Sequence, residues 1–498
     1  MGEASALEAA SAVGAASGRE LPATEPPLTA RQKGLYAFGD IADGIKNVAL
    51  AQFLLYYLTV VCGLSGSMAG AALFIALFVD ALTDPLVGYL SDNARTRWGR
   101  RHPFMFVAAF PFAIALGLLF SVPAFESVWA RFAYVLVVLL TLRIAFSAFV
   151  LPYAAMTAEL SADYAERSVL MTYRNFLNIC ANVATVTLGF GVFMAGAGAL
   201  ESREAYVPFG WVCAALVLIA ALVSAGSTYP LRHRLKNVSA VPRVPFRRLF
   251  TELGEVLANH SFRVLALTVV VFWVAQGTHG SLGVHAFRHF WDLSPELIRN
   301  VLYAHTAGLV AGIPLCALLL TRFEKKEISA GGIAAFCVSQ FIPPVLALTG
   351  LLPESPRIVF AVLCVFYFIP GLAMTCVGIT FGSMMADATD EHELRFGTRR
   401  EGLYFSGLTL GGKCAIGLGA LIAGLGLDLI GFPTDLAARP DQVVDAETVR
   451  NLGIIYGPGA AVISFLSVSI MMRYRLTSAA LARVQADLAR RRDQGPRS

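Results

Sequence analysis

The chain has 498 residues, of which 56% are hydrophobic and 15% charged, and its mean hydropathy is +0.64. A soluble protein carries about 25% charged residues, so this composition excludes an ordinary soluble enzyme and indicates a protein of the lipid bilayer. The formal net charge of +5 is not gathered into the basic face that a nucleic-acid-binding protein presents.

Long apolar runs predict twelve membrane-spanning helices, since a span requires about 20 apolar residues. A basic, proline-containing stretch at 229–262 separates the sixth run from the seventh, so we expect a linker between two six-helix bundles at 31–228 and 263–475. Residues 1–30 lack the basic start and apolar core of a signal peptide. We expect them to be a disordered cytoplasmic tail, and 476–498 to be a basic cytoplasmic tail. The predicted spans are 34–61, 68–91, 104–122, 131–159, 169–198, 208–228, 263–290, 297–321, 328–350, 356–385, 402–431 and 451–472.

Lysine and arginine are concentrated in the connections that follow the even-numbered spans. Such residues mark the cytoplasmic loops of membrane proteins. The pattern therefore predicts a multi-pass protein of the cell (inner or plasma) membrane with both termini in the cytoplasm. Apart from the linker, the basic residues of these connections are Arg95, Arg97, Arg100, Arg101, Arg167, Arg322, Lys325, Lys326, Arg395, Arg399 and Arg400.

Two acidic residues, Asp80 and Asp84, interrupt the apolar run of the second span. A carboxylate at membrane depth costs about 3 kcal/mol unless it faces the protein interior and has a partner. Positions i and i+4 share a helix face, and two like charges so close require a cation between them or a proton on one of them. The pair predicts a cation or proton site, in preference to a purely structural pair bonded to neighbouring helix ends.

The fifth span carries a polar stripe, because Arg174, Asn178 and Asn182 recur every four residues. Their directed donors suit a hydroxyl-rich ligand or a carboxylate; a salt bridge or helix-packing role is the alternative. Lys413 in the eleventh span requires a counter-charge, for which the acids of the first two helices are the expected partners. Thr409, one turn earlier, shares its face and is a candidate ligand of the cation or the substrate.

Two stretches of the chain carry a resemblance to a known family. Asp80-ALTDPLVGYLSDNARTRWGRRHPF-Met105 contains D-x-x-x-D-P followed by a short basic loop, and Phe381-GSMMADATDEHELRFGTRREGLYFSGLTLGGK-Cys414 includes the lysine of the eleventh span. Both resemble the glycoside–pentoside–hexuronide:cation symporter family of the major facilitator superfamily. The resemblance, over roughly residues 31–475, implies an all-α membrane fold with twelve transmembrane helices in two six-helix bundles that rock about a midplane site.

The resemblance also implies roles for single residues. Asp80 and Asp84 match the pair that ligates the coupling cation, which is Na⁺ in a sodium-coupled member and prefers hard oxygen ligands. Arg174 matches an arginine of the family's sugar site. Lys413 matches a lysine that links the two halves near the cation site. Lys413 and Asn178 are also candidates for binding the substrate.

An aspartate of the first helix serves both sites in the family, and its position in this chain is ambiguous. Alignment without gaps places it at Gly44, and a one-residue shift moves it to Asp43. We therefore favour Asp43 over Asp40 as a ligand of cation and substrate. Lys46 lies close enough in the sequence to neutralise one of these acids instead.

The chain departs from the family's galactoside carriers in the fourth span. Those carriers bind the sugar with an aspartate and a tryptophan where this chain has Val150 and Ala154. The loss removes a carboxylate acceptor and a stacking platform, so an unmodified galactoside is not the expected substrate. Tyr153 is a partial substitute and the remaining substrate-binding candidate.

Two further groups of residues receive structural roles. The loop arginines are expected to hold helix ends and acidic residues and so to stabilise one access state. Three histidines of the seventh span are expected to form hydrogen bonds rather than a metal site. Two of them, His285 and His289, are spaced like a pair of metal ligands, but no third ligand accompanies them. The arginines are Arg95, Arg97, Arg100 and Arg101, and the histidines are His279, His285 and His289.

The chain has no nucleotide-binding loop, catalytic triad or zinc motif. We therefore expect a carrier driven by an ion gradient, neither an enzyme nor an ATP-driven pump, with no cofactor beyond the coupling ion, Na⁺ or H⁺. Symport of a sugar or glycoside with sodium is favoured. A carrier of lysophospholipid or another amphiphile and a non-transporting membrane sensor are the alternatives. The expected partners are a small-molecule substrate and membrane lipid, with no nucleic acid, and the protein is expected to be a monomer.

Overall fold

The structure is a computed structural model that describes residues 26–161, 163–235, 254–353, 355–398, 400–439 and 442–493. Most of the predicted N-terminal tail, the middle of the predicted linker and Arg399 lie outside these residues.

Within the described residues, eleven helices are long and apolar enough to cross a membrane. A further helical stretch, α1, precedes them as four segments, Ala30–Ala37, Gly39–Val48, Ala49–Leu54 and Tyr57–Val61, of which the last two are wide π-helical turns. The eleven are α2 (Gly66–Asn93), α3 (His102–Leu119), α4 (Val128–Leu160), α5 (Ala165–Phe193), α6 (Arg203–Arg234), α7 (His260–Phe290), α8 (Pro295–Leu319), α9 (Lys325–Leu348), α10 (Pro356–Phe396), α11 (Glu401–Leu429) and α12 (Ala446–Met471). The prediction of an all-α membrane fold is confirmed, and each predicted span corresponds to one of α1–α12.

One helix is longer than its apolar run. The predicted tenth span ends near residue 385, whereas α10 continues to Phe396 and stops where Gly397 takes a positive φ of 73°. The extension is polar, and an ion pair joins it to the neighbouring helix: its Asp387 lies 2.6 Å from Lys325 of α9. Hydropathy therefore located the membrane-embedded part of α10 and missed its polar end. After α12 the chain forms one more helix, α13 (Ser478–Asp493), which packs on α10.

The helices pack as an N-terminal half, α1–α6, and a C-terminal half, α7–α12. Within the first half α1 lies against α5, and α4 lies against α2 and α3. Within the second, α10 lies against α8 and α9, and α7 lies against α11 and α12. The most extensive contact between the halves is made by α2 and α11. This pair of helices is therefore the main joint of the molecule.

Glycines allow α2 and α11 to touch backbone to backbone. A Cβ atom on Gly424 would lie 2.0 Å from the carbonyl oxygen of Gly66, and a Cβ on Gly66 would lie 2.2 Å from that of Gly424. Only residues without a side chain permit such an approach. One turn further along α11, Asp428 accepts hydrogen bonds from the amides of Gly66 at 2.6 Å and Ser67 at 2.8 Å. It thus satisfies the free amides at the start of α2.

The contacts between the halves gather at one end of the bundle. The far end is defined here as the end where α1 stops and α2 begins, and the terminal end as the end where α1 begins and α2 stops. At the far end further hydrogen bonds between described residues join the halves, and three of them are made by side chains of α7. They link His285 to Thr59 at 2.9 Å, His289 to Tyr56 at 3.2 Å, and Arg288 to Glu201 at 2.6 Å.

At the terminal end the described ion pairs join helices of the same half, as Lys325 and Asp387 do. In the N-terminal half, Arg101 and Glu159 form such an ion pair, with their charged atoms 2.5 Å apart. In this conformation the two halves are thus hydrogen-bonded to each other at the far end. His285 and His289 form hydrogen bonds there, as the sequence led us to expect.

We expect Gly424→Ala to loosen this joint, because the new methyl group would collide with backbone rather than with a movable side chain. The purified variant should melt at a lower temperature than the parent protein. Gly402→Ala on the same helix is the control, since nothing lies within 4 Å of its added Cβ. The control should be neutral or stabilising by up to about 1 kcal/mol, the advantage of alanine over glycine in a helix. Equal melting temperatures for the two variants would contradict the assigned joint.

Candidate cation and substrate site

The centre of the site is an ion triplet that spans the two halves. Lys413 of α11 reaches across to α2, where its Nζ lies 2.8 Å from Oδ2 of Asp80 and also bonds Oδ2 of Asp84. Asp80 is fully buried, while the side chains of Asp84 and Lys413 keep 19% and 25% of their exposure. The sequence led us to expect the acids of the first two helices as partners of Lys413, and in this structure those of the second helix pair with it.

Ser147 of α4 completes the surroundings of the acid pair. Its hydroxyl donates to Oδ1 of Asp80 at 2.7 Å, and Oδ1 of Asp84 is buried without a hydrogen-bond partner among the described residues. Four carboxylate oxygens and one hydroxyl form a hard donor set that suits Na⁺. Thr409, the hydroxyl that the sequence suggested, is exposed and donates to the carbonyl of Phe405 at 2.9 Å. The hydroxyl that meets the pair in this structure is therefore that of Ser147.

Arg143 is a second residue that sequence reasoning missed. It lies one turn before Ser147 on α4, and its charge interacts with those of Asp80, Asp84 and Asp43. Its Nε is buried without a hydrogen-bond partner among the described residues. An arginine within an apolar span is itself a signal of an internal partner, and that signal was available in the sequence.

The first acid of α1 is Asp40, which forms a two-point pair with Arg174 of α5. Nε of Arg174 lies 2.5 Å from Oδ2 of Asp40, and Nη2 lies 3.2 Å from Oδ1. The hydroxyl of Tyr153 donates to the same carboxylate at 2.6 Å, and Nη1 of Arg174 donates to Thr157 at 2.9 Å. Tyr153 has no exposed surface. In this conformation Tyr153 positions Asp40, and its contact with substrate stays a prediction.

The second acid, Asp43, is bound less tightly. Lys46 donates to its Oδ1 at 2.9 Å, so the neutralisation considered from the sequence is present. Lys46 is buried and lies 3.3 Å from the centre of the Phe146 ring, whose face attracts a cation. The Asp43 side chain is 25% exposed, against 11% for Asp40. Asp43 is therefore the more accessible acid of α1.

The structure explains why no acid stands at position 44. A Cβ on Gly44 would lie 2.9 Å from the carbonyl oxygen of Asn178, because α1 and α5 touch there. Asn178 donates to the carbonyl of Asp40 at 3.2 Å and to Asp43 at 3.4 Å, and it accepts from Asn182 at 2.9 Å. The predicted polar stripe of α5 thus lies against the acids of α1. These acids precede Gly44 in the sequence, because position 44 itself has no room for a side chain.

Charges in the middle of the molecule are balanced. Each carboxylate has at least one cation as a partner, so a further cation can enter only by taking a carboxylate from a resident one. The carboxylates are Asp40, Asp43, Asp80 and Asp84, and the cations are Lys46, Arg143, Arg174 and Lys413.

The predicted gating loop divides into two pairs of arginines. Arg100 and Arg101 both bond Glu159 at the end of α4 at 2.5 Å, and Arg101 also lies 3.2 Å from Asp92. Arg95 and Arg97 are exposed, and the described contact of Arg97 is with the ring of Trp98. Arg100 and Arg101 therefore clamp the α2–α3 connection to α4. Their role in gating stays a prediction.

We expect Arg174→Gln to destabilise the protein by about 3 kcal/mol, because it leaves the Asp40 carboxylate buried without its cation. Adding Asp40→Asn should restore part of the loss, since the uncompensated charge disappears. Melting temperatures of the parent, the two single variants and the double variant form the cycle that measures this coupling. Strictly additive losses would show that the pair contributes no mutual stabilisation.

Comparison with known proteins identifies the family of this chain. Residues 35–478 match the family of MFS/sugar transport proteins. YagG of Escherichia coli (strain K12), assigned provisionally as a glycoside/cation symporter, is 26% identical over 470 residues, which are 93% of this chain and 96% of YagG. The isoprimeverose transporter of Lactiplantibacillus pentosus is 24% identical over 467 residues, 89% of this chain and 91% of that protein.

A solved structure shares the arrangement of the helices. The crystal structure of the nucleoside transporter NupG matches with a TM-score of 0.61 at 14% identity, over 90% of this chain and 100% of that one. At this identity the likeness concerns the fold alone. The family match, in contrast, spans α1–α12 together with the acid pair and Lys413. The chain is therefore a membrane transport protein that belongs to the MFS/sugar transport family, among the glycoside–pentoside–hexuronide:cation symporters of the major facilitator superfamily.

Proposed function

We propose that the protein imports a sugar or glycoside together with a cation across the cell (inner or plasma) membrane by alternating access. The observation that carries the proposal is the Lys413 bridge from the C-terminal half to Asp80 and Asp84 of the N-terminal half. The names of the relatives, a glycoside/cation symporter and an isoprimeverose transporter, support the substrate class and do not favour a lysophospholipid. Lipid contact and a monomeric state stay predictions.

The bridge offers a physical basis for coupling. If Lys413 left the pair unaided, two neighbouring carboxylates would remain without their cation, at a cost of several kcal/mol. A cation that binds between Asp80 and Asp84 removes this cost, with Ser147 turning its oxygen towards the ion. Lys413 is then free to leave, and one tie between the halves is broken. Movement of the halves thereby depends on the occupancy of the cation site.

The orientation follows from the loop charges. The terminal end carries the basic connections, which supports a cytoplasmic location for it. Because the far end is fastened by hydrogen bonds between the halves, the remaining access to the centre is from the cytoplasmic side. The conformation is accordingly assigned as inward-facing, the state that releases a substrate into the cell.

Sodium is the coupling ion we favour. A sodium site needs about five or six oxygens, and Asp80, Asp84 and Ser147 together supply five. A proton would need only one of these carboxylates and no further oxygen ligand. The two ions therefore make different demands on Ser147, whose hydroxyl matters to sodium and not to a proton on Asp84.

We expect Asp84→Asn to abolish accumulation of substrate against its gradient while the protein still folds and reaches the membrane. The change removes a ligand charge and also relieves the repulsion between the two acids, so folding should survive. Uptake of radiolabelled isoprimeverose into cells that make each variant is the measurement. Asp487→Asn is the control, because that exposed acid lies on α13 far along the chain from the site. Uptake by Asp84→Asn at the parent rate would refute the cation site.

We expect uptake by proteoliposomes to require Na⁺ and to change little with external pH. Ser147→Ala should raise the half-saturating sodium concentration about tenfold, a loss of about 1.4 kcal/mol, while Ser147→Thr keeps the hydroxyl and should stay near the parent value. Full uptake in sodium-free medium that a protonophore collapses would instead establish proton coupling.

A further inference from the structure

A pocket in the C-terminal half is separate from the ion cluster. It is lined by α7, α8, α9, α10 and α12, and Gln52 of α1 adds a residue from the N-terminal half. Gln52 lies about 9 Å along α1 from Lys46, at a rise of about 1.5 Å per residue. The pocket therefore faces both halves and lies on the far-end side of the charged residues of α1.

Four polar atoms in the wall of this pocket are buried without a hydrogen-bond partner among the described residues. They are Oε1 of Gln276, Nε1 of Trp291, Oγ of Ser339 and Nε2 of Gln340. Gln340, Ser339 and Trp291 are only 2%, 6% and 8% exposed. Burying a polar group without a hydrogen-bond partner is unfavourable, and folded proteins hold few such groups. Four in one pocket point to a ligand that pairs with them.

The rest of the wall is held rigid by its own hydrogen bonds. Nδ1 of His305 lies 3.2 Å from the carbonyl oxygen of Tyr367 and must donate to it, so Nε2 of a neutral ring is an acceptor. His279 likewise donates to the carbonyl of Tyr456 at 3.1 Å and stacks on that ring, with centroids 4.2 Å apart. The hydroxyls of Tyr367 and Tyr456 are bonded to each other. The pocket thus combines fixed aromatic faces with unpaired neutral donors and acceptors.

The chemistry of the wall selects the ligand. None of the described residues that line the pocket is Asp, Glu, Lys or Arg, so a phosphate, a carboxylate or an amine would be buried there without a counter-charge. A purely apolar ligand would leave the four polar atoms unpaired. A neutral sugar ring meets both demands, because its hydroxyls donate and accept while its C–H faces pack on aromatic rings.

The N-terminal half has little to offer such a ring in this conformation. The charged atoms of Arg174 are bonded to Asp40 and Thr157, Asn178 is bonded to both acids of α1, and Tyr153 is fully buried. The residues that the sequence proposed as sugar ligands are thus bonded mainly to one another. The unpaired neutral groups that line the described pocket lie in the other half.

We infer that this pocket of the C-terminal half is the subsite for an uncharged sugar ring of the transported glycoside. The inference rests on the proposed function and adds the part of the site that recognises the sugar. Gln52, on the wall from the N-terminal half, allows a bound ring to contact both halves at once.

The test uses the full chain in lipid nanodiscs with sodium chloride. Isothermal titration measures the Kd for isoprimeverose, methyl β-D-glucopyranoside, methyl β-D-xylopyranoside and, as the charged counterpart, glucuronate. The parent should bind at least one neutral sugar more tightly than glucuronate. Ser339→Ala and Trp291→Phe should each weaken that binding about tenfold, since each removes one hydrogen bond to the ligand.

Ser339→Ala should be unchanged or more stable without sugar, because it removes an unpaired buried hydroxyl. Trp291→Phe also replaces a buried ring by a smaller one and should lose some stability. The control is Ser467→Ala on α12, whose hydroxyl donates to the carbonyl of Ser464 at 2.6 Å. It should keep the parent Kd and lose stability. A structural role for Ser339 would lower the melting temperature of sugar-free Ser339→Ala, and this opposite sign separates the two explanations.

Each outcome decides a claim. Parent-like sugar binding by both Ser339→Ala and Trp291→Phe overturns the subsite and leaves the proposed function standing. Preference of the parent protein for glucuronate overturns it as well, and failure to bind any of these sugars overturns both claims. Neutral-sugar binding that both variants lose, without cation-driven uptake by the parent, supports the subsite and refutes the proposed symport.

Discussion

Charge neutrality in a medium that does not solvate ions is the constraint on which this structure depends. Asp80 and Asp84 cannot stay charged side by side within a bilayer, and Lys413 compensates them from the opposite half of the molecule. The partner could have come from the same bundle, as Lys46 does for Asp43. Because it comes from α11, the electrostatic requirement of two residues becomes a tie between the two moving parts.

The backbone contact of α2 with α11 lies at one end of these helices, whereas the ion pairs of Lys413 lie nearer their middle. Gly66 and Gly424 bring the two helices together at the far end, and Lys413 lies about 16 Å from Gly424 towards the start of α11, by the helical rise. A contact at the end acts as a pivot for small changes in crossing angle, whereas an ion pair nearer the middle must break when that angle changes. A cation that replaces Lys413 can therefore favour one arrangement of the halves over the other without moving the pivot.

The sequence was most informative where a residue type is energetically unfavourable in a membrane-spanning helix. Hydropathy predicted all twelve spans, because an apolar run of that length has few other uses, and Asp80, Asp84 and Lys413 stood out because lipid penalises charge. Ser147 could not be predicted, since a serine is inexpensive in a membrane helix and its pairing depends on how α4 rotates against α2. Arg143 carried the same penalty as the acids and was overlooked. Its charge was visible in the sequence, but its neighbours required the packing of three helices.

The same physics separates the two kinds of recognition proposed for this carrier. Charged groups concentrate in the N-terminal half, where every new ion must displace an existing pairing, so that half is the one proposed to respond to the cation. The C-terminal pocket has polar atoms without charge, and these can accept a neutral sugar without disturbing the balance of ions. Two ligands bound by different halves can still cooperate, because each biases the same movement at the joint of α2 and α11. Coupling then needs no direct contact between cation and sugar, only that the rearrangement which frees Lys413 also be the one that closes the pocket around the sugar.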